Sequence, residues 1–321
     1  MKTQVLISDS FEPFLNLAVE DWLFEHCDAD TVTLYLWRNE RTVVIGRNQN
    51  PYAECRVELL EGEGGHLMRR TTGGGAVYHD AENLNFTFVT PAAMADTRRN
   101  FDVVAEALSA YGIVATVSGR NDMQCDGRKF SGSAFHKNAT TALHHGTVMI
   151  RTDIDMLRRY LTPDLSKLSK HGVQSVESRV VNLAELADVT VDNLVPAMIV
   201  AFQSVFGQEA VNVGFDNLAS LSSVRQRRDF YASDEWRFGR WRDFKATCKG
   251  SFEWGTVEVS LLCDGPSIKD CRIASDALDT EAVDEARRLL LSGRWTAGDR
   301  PCANKTTTDI LNLISKSVIR D

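Results

Sequence analysis

Arg69-Arg70-Thr71-Thr72-Gly73-Gly74-Gly75-Ala76-Val77-Tyr78-His79-Asp80, followed at once by Asn83-Leu84-Asn85-Phe86, is the stretch from which the rest of the chain is best read. Three glycines allow a backbone to approach a bound group closely and to present bare N–H donors. Two adjacent guanidinium forks suit phosphate or carboxylate oxygens. A tight glycine turn beside two surface arginines would read the same way; the arginine pair and the asparagines that follow move the balance toward a site. There Leu84, Phe86 and Phe88 point to one face while Asn83, Asn85 and Thr87 point to the other. Amides on one side and aromatics on the other suit a sheet whose polar face lines a site.

Outward from this stretch, helix and strand patterns alternate irregularly. Pro13 to Cys27 carries Phe14, Leu17, Ala18, Trp22 and Leu23 at helical spacing. Val32, Leu34 and Leu36 alternate with polar residues as in a half-buried strand, and Thr42 to Ile45 reads as its neighbour. Helices are expected at Phe101 to Tyr111, Asp155 to Leu161 and Asp192 to Phe206. This order favours an α+β fold over strict βαβ alternation. The chain has room for two domains, 1–243 and 244–321, with the boundary near Arg240 to Lys245. Beyond it, strands at Ser251 to Leu262 and Ile268 to Ala274, turning at Asp264-Gly265-Pro266, and a helix at Glu281 to Leu291 form a small β-β-α unit.

Composition narrows the function classes. The net charge of −8 argues against a general nucleic-acid binder. No apolar run reaches membrane-spanning length, and Met1 to Val5 enters a strand pattern without a signal-peptide core. The seven cysteines are scattered, odd in number and without a CxxC pair, so a reduced cytoplasmic setting is expected, with neither disulfide framework nor structural zinc. His144-His145 gives no metal site: neighbours on a strand face opposite ways, and no third ligand stands at a recognisable spacing. His79 reads as structural. The P-loop pattern GxxxxGK[ST] is absent, so phosphate is not gripped that way.

The opening stretch resembles the RR-x-x-GGGA signature of lipoate–protein ligases. Asn16-Leu17-Ala18-Val19-Glu20, Leu36-Trp37-Arg38-Asn39, Val43 to Pro51, Ser118-Gly119-Arg120-Asn121-Asp122, Arg128 to Ala134, His144 to Thr147 and Ser175 to Leu183 also look like that family, in order, over roughly residues 5 to 185. The resemblance implies a mixed β-sheet catalytic domain of the biotin/lipoyl ligase type with a small C-terminal α+β accessory domain. It also implies ATP-dependent ligation of lipoate, and of octanoate, to a lysine of lipoyl domains. The intermediate would be lipoyl-AMP, with pyrophosphate and then AMP released. ATP is the implied co-substrate and Mg²⁺ the implied ion. The acceptors would be acyltransferase subunits of 2-oxoacid dehydrogenase complexes and the glycine-cleavage H protein. The protein would be a cytoplasmic monomer without nucleic-acid or membrane partners.

Adenylation sets the demands on the site: crowded anions must be neutralised and held in line. Lys129 occupies the position of the family's lysine that contacts both ATP and lipoate, beside the small residues Ser131 to Ala134. Its ammonium would bridge the acid's carboxylate and the α-phosphate. By resemblance, Arg70, Gly75, Ala76, Val77 and Tyr78 are nucleotide contacts, joined by Asn83, Asn121 and Asp122, while Gly73, Gly74, Ser133 and His145 would contact lipoate. Asp122 would either hold Mg²⁺ or orient Lys129. Burying about four methylenes of the acyl tail is worth on the order of 3 kcal/mol. Leu17, Trp37, Val44, Val77 and Phe86 are candidates for that tunnel, though core is the safer reading of any one of them. Ser166 to Asn182 resembles the family's adenylate-covering loop, and Arg225, Arg227 and Arg228 would meet an acidic acceptor or simply form a solvated helix face. The alternative is an octanoyl- or lipoyl-transferase of the same fold working through a thioester on Cys125, the cysteine inside the motif region. Biotin-ligase-like and catalytically silent lipoyl-domain-binding readings rank below it.

Overall fold

The computed structural model describes residues 1–162, 180–239, 246–264, 267–293 and 304–318. Most of the expected covering loop, the expected boundary at 240–245, the Gly265-Pro266 turn and Cys302 lie outside the described residues.

By contacts the chain forms two compact units. The first comprises Met1–Val44, Arg56–Met68 and Val77–Ser233; the second comprises Ile45–Cys55, Arg69–Ala76 and Asp234–Asp321. The glycine-rich loop is therefore grouped with the C-terminal part of the chain.

The first unit is built on an eight-stranded mixed sheet of β1 (Lys2–Ile7), β2 (Thr31–Trp37), β6 (Asn83–Pro91), β7 (Thr116–Ser118), β8 (Asp122–Cys125), β9 (Arg128–Lys137), β10 (Thr141–Met149) and β11 (Ala210–Val213). Their order is β11-β1-β2-β6-β10-β9-β8-β7. β1 runs parallel to both its neighbours, and the other pairings are antiparallel. A second sheet holds β3 (Thr42–Ile45) between β4 (His66–Arg69) and β5 (Val77–His79). Thr42 to Ile45 is thus not the neighbour of β2, whose partners are β1 and β6.

Helix α1 (Pro13–Glu25) starts where Glu12 accepts from the Leu15 amide and a proline sits at its first turn. Helix α2 (Thr97–Ser109) begins four residues ahead of its expected start, because Asp96 caps the Arg99 amide. Helices α3 (Ile154–Tyr160) and α4 (Val191–Phe206) follow; Thr190 and Asn193 form a capping box on α4, and Gly207 ends it at φ 66°. Phe101, Val104 and Leu108 of α2 and Leu194, Met198 and Phe202 of α4 pack with Leu34, Leu36, Leu84, Phe86 and Phe88 into one core. That packing explains why β2, expected to be half-buried, is buried along its whole length. Its Leu34 and Leu36 join this core, while Tyr35 and Trp37 turn to the face where α1 lies. Among the described residues no helix is long and apolar enough to cross a membrane.

The C-terminal part of the second unit is an antiparallel sheet of β12 (Ala246–Phe252), β13 (Gly255–Asp264) and β14 (Ser267–Ser275). Helix α5 (Ser222–Ala232) belongs to the first unit; α6 (Thr280–Leu291) and α7 (Lys305–Val318) pack on the small sheet. The single strand expected over Ser251 to Leu262 is in fact two, folded at Glu253-Trp254, with Gly255 at φ 147°. An alternating pattern runs through a two-residue turn without interruption, so periodicity alone did not see it. Trp254, Val257, Val259, Leu261, Ile273, Leu290 and Ile310 fill this core.

Candidate active site

Register decides which side chains of the large sheet share a face. Asn85 stands opposite Trp37 on one side and Thr147 on the other, and Thr87 stands opposite Tyr35 and His145. These residues form the polar face. Phe86 and Phe88 pair with Gly146 and His144 on the other.

Lys129 reaches the polar face through an irregularity. Met123 pairs with Ser131, but Gln124 pairs with Lys129, so Phe130 is an extra residue on β9. Strict alternation would put Lys129 with Ser131 and Ser133; the bulge turns it to the side of Gly132 and Asp122 and sends Phe130 into the core. Its Nζ lies 2.8 Å from Asp122 Oδ1, each side chain about one-third exposed. A Cβ on Gly132 would meet that Nζ at 2.9 Å, so the missing side chain leaves Lys129 its path. The Gly132 amide donates to Thr147 Oγ1 at 3.3 Å. Two strands away Asn83 Nδ2 donates to Asn85 Oδ1 at 3.0 Å, which leaves buried Asn83 Oδ1 and Asn85 Nδ2 without a partner among the described residues. Buried amide atoms are seldom left so, and a polar ligand on this face would satisfy them.

Farther along the same face Glu20 of α1, almost wholly buried, accepts from Thr87 Oγ1 at 2.6 Å and meets His145 Nδ1 at 2.8 Å through the same Oε1, and Trp37 Nε1 donates to Thr87 Oγ1 at 3.0 Å. Glu20 and Thr147 had drawn no role from the sequence, although both lie in motif blocks; the cue was a carboxylate on the inward face of an amphipathic helix.

Several expected neighbours are separated. Ser133 stands opposite Gly146, so it lies on the Phe86 face and not with His145. Asn121 uses its Nδ2 on the Ser133 carbonyl at 3.0 Å. His144 is ringed by Phe86, Phe88, Phe101 and Phe135, and burial pushes its pKa down to about 3. Phe86 likewise faces away from Trp37, so the two do not line one wall. Val77 and Tyr78 pair with Val44 and Val43 in the small sheet, and burial pushes the Tyr78 hydroxyl well above its ordinary value. Cys125 is buried, and burial, then Asp126, raises its thiol pKa, the wrong direction for a thioester nucleophile. Arg227 is paired with Asp21 and Glu25 of α1, and Arg228 with Glu12 and Asp229, so two arginines of the expected acceptor-docking cluster are engaged by the chain's own carboxylates. His79 Nδ1 lies 3.2 Å from Asn39 Nδ2 inside the core, as a structural histidine would.

Within the second unit, both arginines of the glycine loop hold backbone. Arg69 donates to the carbonyls of Gly46, Arg47, Gln49, Trp236 and Arg237, and burial lowers its pKa to about 10. Arg70 donates to Thr72 Oγ1 and to the carbonyls of Gly73 and Gly75. The glycines are needed for packing: a Cβ on Gly73 would overlap the Ala277 carbonyl, and one on Gly46 would overlap that of Gly74. Gly74, at φ 95°, donates its amide to Ala277 O at 3.2 Å, so its N–H is not bare. Among the described residues no three His, Cys, Asp or Glu side chains gather as a metal cage. Asp122, the carboxylate expected either to hold Mg²⁺ or to orient Lys129, is paired with Lys129.

The family model of the lipoyl protein ligase A/B catalytic domain matches residues 12–203, and that of the bacterial lipoate protein ligase C-terminus matches 242–297. The chain is 38% identical over 305 residues to lipoate-protein ligase A of Bdellovibrio bacteriovorus, covering 93% of this chain and 90% of the relative. It is 39% identical over 308 residues to lipoate-protein ligase A of Psychrobacter cryohalolentis, covering 93% and 91%. The solved structure of P. falciparum LipL1 in complex with lipoate superposes with a TM-score of 0.84 at 27% identity, over 99% of this chain and 100% of that one. A lipoate-protein ligase A bound with ATP gives 0.66 at 26% identity, over 74% and 99%. The chain belongs to the lipoate–protein ligase family.

Proposed function

We propose that this chain ligates lipoate, and octanoate with it, to one lysine of a lipoyl domain at the expense of ATP. A carboxylate oxygen of the acid attacks the α-phosphorus, the bond to the β-phosphate oxygen breaks, and pyrophosphate leaves. The acceptor amine then attacks the carbonyl carbon of lipoyl-AMP, loses its proton, and AMP leaves. The observation that carries the reading is Lys129, turned by the β9 bulge onto a polar face beside Asp122, Thr147 and the unpartnered amides of Asn83 and Asn85. A compact ammonium there suits two anions that must approach each other. Relatives named lipoate-protein ligase A support the ligase over the transferase, and the buried, proton-retaining Cys125 argues the same way.

In this reading Gly75, Ala76, Val77, Tyr78, Asn83 and Asn121 serve the nucleotide, Arg70 serves it by holding the shape of the glycine loop, and Gly73, Gly74 and His145 serve the acid. Any Mg²⁺ enters on the ATP phosphates, which suits an ion that commonly takes few protein ligands. The acceptors are lipoyl domains of 2-oxoacid dehydrogenase acyltransferases and the H protein, modified in the cytoplasm by a monomer. Structural work on an archaeal bipartite lipoate protein ligase and its E2 lipoyl domain, with a chain 27% identical to this one, supports that acceptor class. Pyrophosphate release on adding lipoate and ATP, with and without an apo lipoyl domain, tests the proposal. ATP-free transfer from an acyl-carrier protein would sink it.

A further inference from the structure

The polar face of the large sheet changes character along one row. Asp122, Gly132, Thr147, Asn85 and Trp37 stand side by side on five neighbouring strands, β8, β9, β10, β6 and β2. The row begins charged: the Lys129 ammonium lies 2.9 Å from where a Gly132 Cβ would stand and 2.8 Å from Asp122. It ends at the buried ring of Trp37, whose Nε1 is already spent on Thr87. Asn85, 1% exposed, sits at the change from charged to apolar. Its Oδ1 accepts from Asn83 Nδ2 at 3.0 Å, while its own Nδ2 finds no acceptor among the described residues. A buried donor left unused costs stability, so its retention points to an oxygen that a ligand supplies.

We infer that Asn85 Nδ2 donates to the acyl carbonyl oxygen of the adenylate and stabilises the negative charge that gathers there when the acceptor amine attacks. This rests on the lipoyl-AMP reading above. An acyl-adenylate has the polarity of the row: an anionic phosphate, then a carbonyl, then an apolar chain. With strands about 4.8 Å apart, the Gly132 and Asn85 positions are about 10 Å apart. Two hydrogen bonds of about 2.9 Å leave about 4 Å between the oxygens they reach, the breadth of an acyl phosphate. In the transfer step the amine nitrogen bonds to the carbonyl carbon and the C=O pair moves onto oxygen. The pair returns as the bond to the AMP oxygen breaks, and the amine's proton passes to water. Lys129 serves the phosphate, which is approached in the first step and leaves in the second. Asn85 serves the oxygen whose charge grows in the second, and a preorganised buried donor counts most where charge develops.

The test separates the half-reactions on the full-length chain. Pyrophosphate release from lipoate and ATP reads the first, and transfer from synthetic lipoyl-AMP to an apo lipoyl domain reads the second. Asn85→Leu is expected to slow transfer by about 10²-fold and adenylate formation by no more than about fivefold, the reverse of the split expected for Lys129→Ala. Asn85→Gln is expected to recover part of the loss, because it keeps the amide donor on a longer stem. A binding measurement on the wild type needs no variant to fold. Octanoyl-sulfamoyl-adenosine, which carries the carbonyl, is expected to bind about 10-fold more tightly than adenosine 5′-octyl phosphate, which lacks it, and Asn85→Leu should erase that preference. Equal affinities for the two in the wild type, an equal fall in both half-reactions by a folded Asn85→Leu chain, or wild-type transfer by that chain would each overturn the inference while leaving the ligase reading standing. A wild type that makes no lipoyl-AMP would overturn the ligase reading, and transfer from supplied lipoyl-AMP would still decide the role of Asn85.

Discussion

Two cationic regions answer the same sequence pattern and do different work. In the second unit Arg69 and Arg70 sit beside three glycines, the composition of an anion-binding loop, yet their guanidinium groups hold backbone carbonyls. In the first unit Lys129 sits in a less conspicuous segment, yet its ammonium stands one-third exposed on a polar face with the Asp122 carboxylate at 2.8 Å. The difference teaches that residue type supplies a charge, while packing decides whether its donors remain for a substrate. Lys129 should therefore govern chemistry, and Arg69 stability.

Lys129→Ala is the harshest way to break that comparison. It should slow adenylate formation by about 10²- to 10³-fold, or about 3 to 4 kcal/mol, with a much smaller effect on ATP affinity. Pyrophosphate release reads this directly, and supplied lipoyl-AMP should restore part of the transfer. Lys129→Ala forming lipoyl-AMP at the wild-type rate would put the charge in the wrong place. Arg69→Met is the counterpart: several buried carbonyls lose a charged donor, so denaturant unfolding should show a loss of about 3 kcal/mol. Unchanged stability would remove Arg69 from its structural role.

The adjacent histidines sharpen the same lesson. Burial among phenyl rings depresses His144 to about 3, below its unfolded value of 6.5. The unfolded chain therefore takes up the proton first, and the contribution of neutral His144 is whole above pH 6.5 and lost progressively down to about pH 3. At pH 5 that penalty is about 2 kcal/mol. His144→Leu should flatten the fall in stability between pH 7 and pH 5; a slope equal to the wild type's would show that His144 does not carry it.

Arg227→Ala should matter less. Its partners Asp21 and Glu25 lie on α1 and the guanidinium is one-third exposed, so about 0.5 to 1 kcal/mol is expected. The KM for the acceptor domain should hardly move; a large rise would return the arginine cluster to acceptor docking. Smallest of all, Cys125→Ala should retain most lipoylation activity, and an acyl-enzyme thioester trapped on the wild type would reverse that expectation.

Much of the chain could be read without coordinates, because much of its folding is local. Proline and capping residues place α1 and α4, and the alternation from Asn83 to Phe88 fixes which residues of β6 face together. The ordered motif blocks point to the family, and the compositional bounds hold whatever the fold. What tertiary structure alone decided is long-range. Period-2 alternation says that Ser131 and Ser133 share a face, but only pairing with β8 and β10 shows which face, and only the bulge at Phe130 sends Lys129 to the other. Likewise Arg69, Arg70 and Arg47 look alike in a linear chain. Carbonyls brought from up to 168 residues away at Trp236 and Arg237 help to occupy Arg69, nearby loop carbonyls occupy Arg70, and the Asp284 carboxylate meets Arg47. Side-chain chemistry is written one residue at a time, but hydrogen-bond partners are settled only when distant backbone arrives, since each donor is spent on whichever acceptor the fold brings within reach.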